Sequence, residues 1–320
     1  VAAEALEALE LHPVRIPMRQ RFRRVDHREA VLLRGPNGWG EFSPFPDYPP
    51  QVTTRWLASA LELACGDIPS PVREVIPVNV TVPAVDPETA VALVLESGAS
   101  TAKVKIGDPS HSEEDDLKRV WAVREALGEE GNIRVDVNAA WDLETATVRL
   151  ERLSEVGLQY AEQPVAGLDE MKSLRERVPV PLAADELVRQ SPYPLQVIEE
   201  GAADVLILKV QPMGGVARVL DLASRSPIPV VISSALETSV GMYGGLLAAS
   251  LLEELPYACG LGTVALIEGD PTKAPLVPRD GLLEVRRPEP DPELLRRWRP
   301  DRQLGAEMLR RLRAAAEVLT

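Results

Sequence analysis

Cysteine, histidine and aromatic side chains are scarce in this 320-residue chain, and each shortage removes a class of protein. The two cysteines, Cys65 and Cys259, stand far apart in apolar stretches, which suits reduced core thiols and argues against a disulfide framework. The three histidines, His12, His27 and His111, are too few and too scattered for a histidine-rich hydrolase. Basic charge is outnumbered: a net charge of −14 repels phosphate backbones and anionic lipid, so neither nucleic acid nor membrane is expected as a partner. A small molecule is expected instead. Long apolar runs are missing too, since "GMYGGLLAASLLEELPYACG" is broken by Glu253, Glu254 and Pro256 before it reaches spanning length. The opening "VAAEALEALELHPVRIPM" carries acids where an export signal needs a basic flank, and a cytoplasmic setting is the expectation.

What is present is a repeating alternation. Hydrophobic residues make up 45% of the chain, ample for a large core. From about residue 78 to 262, eight short β-rich runs alternate with amphipathic stretches: 78–83, 101–107, 132–138, 160–164, 181–186, 205–210, 229–234 and 257–262. Helix signals fall between them, such as the acids that open "SEEDDLKRVWAVREALG" before Gly128, and Asp142 and Gly157 around "LETATVRLERLSEV". Eight such units predict an α/β protein, a (β/α)8-type barrel over residues 78–278. Residues 1–77 alternate like antiparallel strands followed by one helix, which predicts an α+β capping domain. Residues 279–320 contain one short strand and an Arg-rich amphipathic helix, expected to return to that cap.

Function in such barrels gathers at the carboxyl ends of the strands. Reading those ends in order gives Lys105, Asp136 with Asn138, Glu162, Asp185 with Glu186, Lys209, and Ser233 with Ser234. Successive members are separated by about 23–31 residues, close to one βα unit each. Asp136, Glu162 and Asp185 on adjacent strands would repel one another at a low-dielectric barrel mouth unless a cation joined them. An all-oxygen donor set points to Mg2+, with Mn2+ as a substitute. Lys105 and Lys209 would flank that ion from opposite sides. A partly desolvated lysine beside other cations can act as a base near neutral pH, and Lys103 would support Lys105 electrostatically. The chemistry predicted is removal of a proton next to the carboxylate of a small anionic substrate. Asn138, Ser233, Ser234 and Gly262 are the candidate substrate contacts, and ion pairs that merely fill the barrel are the competing reading.

"KVK" (103–105), "DVN" (136–138), "EQP" (162–164), "DE" (185–186) and "LK" (208–209) resemble the muconate lactonising subgroup of the enolase superfamily, and the resemblance spans essentially the whole chain. It implies that Lys105 and Lys209 form the acid/base pair and that Asp136, Glu162 and Asp185 hold Mg2+. Within the subgroup, "ISSALETSVG" (232–241), "GLGTVAL" (260–266) and the compact length resemble dehydrating members of menaquinone biosynthesis. They imply syn-elimination of water from a succinyl-substituted hydroxycyclohexadiene carboxylate. Dipeptide epimerases of the subgroup carry a D-x-D motif at the eighth strand, and cycloisomerases carry a glutamate near it. "GLGTVAL" has neither. Racemisation of N-succinyl amino acids uses the same lysine pair and remains the second reading, with a catalytically silent binding protein as the non-enzyme alternative. The loops "RQRFRRVDHRE" (19–29) and "GWGEFSPFPDYPP" (38–50) are expected to close over the substrate, although Trp39 and Phe42 read equally well as cap core. The G-x-G-x-x-A match in "GLGTVA" precedes no βα unit, so a dinucleotide site is not expected.

Overall fold

The computed structural model describes residues 2–22 and 25–319. Its amino-terminal part is a three-stranded antiparallel sheet, Glu10–Phe22, Val25–Gly35 and Gly38–Phe42, covered by the helix Pro50–Cys65. The helix starts on a proline, whose missing N–H costs nothing in a first turn. It buries Thr53, Trp56, Leu57, Ala60 and Ala64, a three-and-four spacing that forms one apolar stripe. Gly40 lets the third strand press against this helix, because a Cβ there would run into the Ala60 carbonyl. Trp39 and Phe42 are buried, so the stretch 38–42 is cap core and not a mobile loop. Residues 19–22 and 25–29 likewise lie in the strands of a hairpin, while Arg23 and Arg24 fall outside the described residues. The Arg-rich helix Arg302–Val318 packs Met308, Leu312, Ala315 and Ala316 into the same cap core.

Seven parallel strands follow in consecutive order and curl into the barrel: Val80–Val82, Thr101–Lys105, Asn132–Asp136, Leu158–Glu162, Leu182–Ala184, Val205–Lys209 and Val230–Ser233. Nearly all their residues are buried, as a parallel sheet covered on its outer face requires. Helices between them start and stop where the sequence indicates. Ser112 and Asp115 form a reciprocal capping box on Glu113–Leu127, Asp142 caps Leu143–Leu153, and Gly157 takes the left-handed conformation that ends the next short turn.

The eighth unit differs from expectation. Residues 257–262 form no ladder; the ring closes through single parallel bridges, Val78 to Cys259 and Ser233 to Gly260. Gly260 and Gly262 offer no side chains to pack along a strand, and a 3-10 turn, Thr263–Leu266, replaces the helix. The late strand Leu282–Glu284 pairs with Val75–Pro77 at the entry to the barrel and not with the cap sheet. Both cysteines are free, and burial pushes the Cys259 thiol up to about 12. Among the described residues no helix is long and apolar enough to cross a membrane.

Candidate active site

Strand periodicity explains why the charged groups meet. Side chains two apart share a face, so Lys103 and Lys105 on the second strand, and Arg134 and Asp136 on the third, all enter the barrel. Lys105, Asp136, Glu162, Lys209 and Ser233 are the last residues of their strands, and Asp185 and Ser234 come one residue later. Asp136 and Glu162 are directly paired across the third and fourth strands. Lys105 pairs in register with Asp136, and Lys209 with Ser233.

The three carboxylates are fully buried, and each meets an ammonium group. Lys103 Nζ bridges Glu162 Oε2 at 3.0 Å and Asp136 Oδ2 at 3.3 Å. Lys105 Nζ bonds to the Asp136 carboxylate and donates to Asn138 Oδ1 at 2.7 Å. Lys209 Nζ donates to Asp185 Oδ2 at 2.6 Å. Burial alone would lower Lys103 and raise Asp136, but the opposite charges outweigh it. Glu162 and Asp136 hold Lys103 above its ordinary value, and Lys105, Lys103 and Lys209 hold Asp136 well below the usual carboxylate range. Glu162 goes the other way: burial, and then the charge of Asp136, push it up to about 7.

Backbone strain marks the same rim. Asn138, Ala139, Gln163 and Leu236 all take positive φ, between 41° and 65°, without being glycine. Gln163 uses its strained position to brace the fifth strand end: its Oε1 accepts from the amides of Asp185 and Leu187 at 3.0 and 3.1 Å. Asn138 is bonded at both ends of its side chain, accepting from Lys105 and donating to Glu186 Oε1 at 3.3 Å.

Two cavities meet at Lys105. The inner one, about 20 Å3, is lined by Thr81, the three lysines, Asp136, Ser233, Ser234, Gly260 and Thr263. The outer one, about 750 Å3, runs between the barrel loops and the cap residues Asp47 and Tyr48, and includes Lys105, Asn138, Glu186 and Arg189. Ser234 Oγ shares a 2.8 Å hydrogen bond with Thr263 Oγ1 and reaches the Gly260 carbonyl at 2.9 Å. Gly262 lines neither cavity; a Cβ there would run into the Asn79 carbonyl, and Gly260 and Thr263 form the wall. Thr81 and Arg189 join the lining without having been singled out in the sequence, while Tyr48 comes from the expected loop 38–50 and Thr263 from "GLGTVAL". Alternation along "VNVTVP" is signal enough for Thr81, but nothing local marks Arg189.

The donors suit a hard cation, all of them carboxylate oxygens, and Glu162 Oε1 is buried without a hydrogen-bond partner, an atom in need of one. As they stand the three carboxylates are parted by lysine ammoniums, and among the described residues no group of three or more acidic, histidine or cysteine side chains is closed around a metal-sized point.

The capped-barrel architecture coincides with what known proteins show. Residues 87–291 match the family described as enolase C-terminal domain-like, and residues 14–64 the one described as enolase N-terminal domain-like. Muconate lactonizing enzyme from Pseudomonas fluorescens superposes with a TM-score of 0.78 at 23% identity, over 91% of this chain and 98% of that one. N-succinyl Arg/Lys racemase from Bacillus cereus gives 0.77 at 21%, over 90% and 96%. These define the fold class. The sequence relatives are closer: the o-succinylbenzoate synthase of Thermobifida fusca is 52% identical, covering 85% of this chain and 86% of that protein. The o-succinylbenzoate synthase of Mycolicibacterium smegmatis is 48% identical, over 89% and 88%. The chain belongs to the o-succinylbenzoate synthase family of the enolase superfamily.

Proposed function

We propose that the protein dehydrates 2-succinyl-6-hydroxy-2,4-cyclohexadiene-1-carboxylate to 2-succinylbenzoate, as an Mg2+-dependent hydro-lyase of menaquinone biosynthesis. The observation that carries this is the near-full-length identity to o-succinylbenzoate synthases, joined to three lysines lining one cavity beside buried carboxylates.

In this reading Asp136, Glu162 and Asp185 hold Mg2+, which when bound supplies positive charge to the substrate carboxylate. Lys105, at the junction of the two cavities, takes the proton from the carbon that bears the carboxylate. It then returns that proton to the hydroxide leaving the neighbouring ring carbon. One C–H and one C–O bond break, a C=C bond completes the aromatic ring, and water departs. Lys209 stays cationic and opposes the negative charge that builds up on the carboxylate oxygens. Lys103, held protonated by Glu162 and Asp136, keeps those carboxylates in place. Ser234 and Thr263 offer hydroxyls to the polar end of the substrate. The reading is of a cytoplasmic enzyme with a small-molecule substrate, since a net charge of −14 repels nucleic acid and anionic membrane.

The test is turnover: purified protein with Mg2+ should discharge the ultraviolet absorbance of the cyclohexadiene substrate, and should exchange the α-proton of N-succinyl amino acids in D2O more slowly. Exchange without dehydration would replace this reading with the racemase.

A further inference from the structure

Arg189 stands at a crossing that neither the lysine pair nor the carboxylates explain. It closes the one-turn helix Glu186–Arg189 directly after the fifth strand, so that Asp185, Glu186 and Arg189 share one face. Its guanidinium is buried and bonded on three sides. Nε donates to Asp185 Oδ1 at 3.2 Å, Nη2 to Glu186 Oε1 at 2.8 Å, and Nη1 to the Tyr48 hydroxyl at 2.9 Å. The acceptor Glu186 Oε1 also takes Asn138 Nδ2, and Asn138 Oδ1 takes Lys105. The chain Tyr48–Arg189–Glu186–Asn138–Lys105 therefore runs without a break from the cap to the candidate base. The cap holds the same residue a second time: Arg55, on the cap helix, donates from Nη1 to the Arg189 carbonyl at 2.7 Å.

We propose that Arg189 is a positioning residue through which seating of the cap aligns both the Asp185 carboxylate and, by way of Glu186 and Asn138, the Lys105 ammonium. The proposal rests on the functional reading above for its rate measurement. A planar fork can serve three acceptors at fixed angles, whereas a lysine has a single nitrogen to offer and cannot reach all three. Transmission is stiff because Asn138 sits in a strained left-handed conformation with both ends of its amide engaged. Tyr48 lines the outer cavity from a proline-flanked loop, so a substrate entering there would meet the end of the chain that sets the base.

The experiment compares Tyr48→Phe, Arg189→Lys and the double variant with the wild type. Tyr48→Phe removes one hydroxyl; kcat should fall about 3–10-fold with KM within about twofold and an unchanged melting temperature. Arg189→Lys keeps the charge and loses the fork; kcat should fall about 30–100-fold, and Mg2+ binding followed by calorimetry without substrate should weaken several-fold. The double variant should be no slower than Arg189→Lys alone, because the Tyr48 effect passes through Arg189. A rise in KM at constant kcat would make these residues substrate contacts and overturn the proposal, as would fully additive losses or a loss confined to melting temperature. If the wild type failed to turn over the cyclohexadiene, the functional reading would fall. The calorimetry would still decide the Asp185 arm, which unchanged Mg2+ affinity in Arg189→Lys would overturn.

Discussion

The two ends of the barrel both bury charge, in opposite ways. At the amino end Arg134 is fully buried on the third strand, two residues before Asp136. Its acceptors are neutral: Gln159 Oε1 at 2.6 Å, the Ala258 carbonyl at 2.8 Å and Asn79 Oδ1 at 3.3 Å. Its guanidinium lies 4.7 Å from the Tyr160 ring centre and 5.7 Å from that of Tyr257, and its Nη2 is buried against them without a hydrogen-bond partner. No cavity adjoins it among those that reach the carboxyl end. At that carboxyl end three lysines face three carboxylates, one carboxylate oxygen has no partner, and two cavities meet. Buried charge alone is therefore no mark of a site. Convergent opposite charges with room beside them are.

The comparison breaks first at Lys105. Lys105→Ala should lower kcat by about 10³-fold or more while circular dichroism and the melting curve stay near those of the wild type; an active variant would remove the distinction between the two ends. Next comes the ion. Stripping with a chelator should abolish turnover and added Mg2+ or Mn2+ should restore it, and Asp185→Asn should raise the Mg2+ needed for half-activity about tenfold or more. Unchanged metal dependence would make the carboxylates structural, like the plug at the other end.

Arg134→Met should do the reverse. It should destabilise the fold by about 2–4 kcal/mol in urea melts, since several buried acceptors lose their donor, while kcat per folded molecule stays within about threefold. The smallest effect concerns Glu237, which lies just beyond Ser234 at the carboxyl end but faces the cap. Burial, and then the nearby Glu41, push it up to about 7. A carboxyl raised in the folded state favours folding below the unfolded value near 4.5, and that contribution is lost as pH rises through 7. Glu237→Gln should accordingly be more stable than the wild type at pH 8, by about 3 kcal/mol at most, with the gap closing toward pH 4.5. A constant gap across that range would show that Glu237 does not titrate there.

Much of this was legible from alternation. Lys103, Lys105, Asp136, Glu162 and Lys209 declare themselves because strands place every second side chain inward and a barrel collects its strand ends. The same rule pointed inward at Arg134 in "NIRVDVN", where a charge looks like a site until its neutral partners are seen. The eighth strand was misread because an apolar run next to glycines satisfies the pattern without forming a ladder. Tyr48 lies in the loop 38–50 expected over the substrate, but its partner Arg189 carries no local signal, since their link joins residues 141 positions apart across the cap.

The closure of the ring has a kinetic side. Gly260 N bonds to Ile232 O on the seventh strand, whereas Cys259 N bonds to Pro77 O and Asn79 N to Cys259 O, so the closing seam joins chain segments about 180 residues apart by isolated bonds. Bringing such distant segments together costs about 4–5 kcal/mol of chain entropy before any bond forms. The first and seventh strands must already stand in place to offset it. Thr81 on the first strand and Thr263 lie on opposite sides of that seam and both line the inner cavity, so they are brought together only when the ring shuts. A nascent or truncated barrel would assemble the lysines and carboxylates early, yet lack this wall of the cavity until the last step of folding.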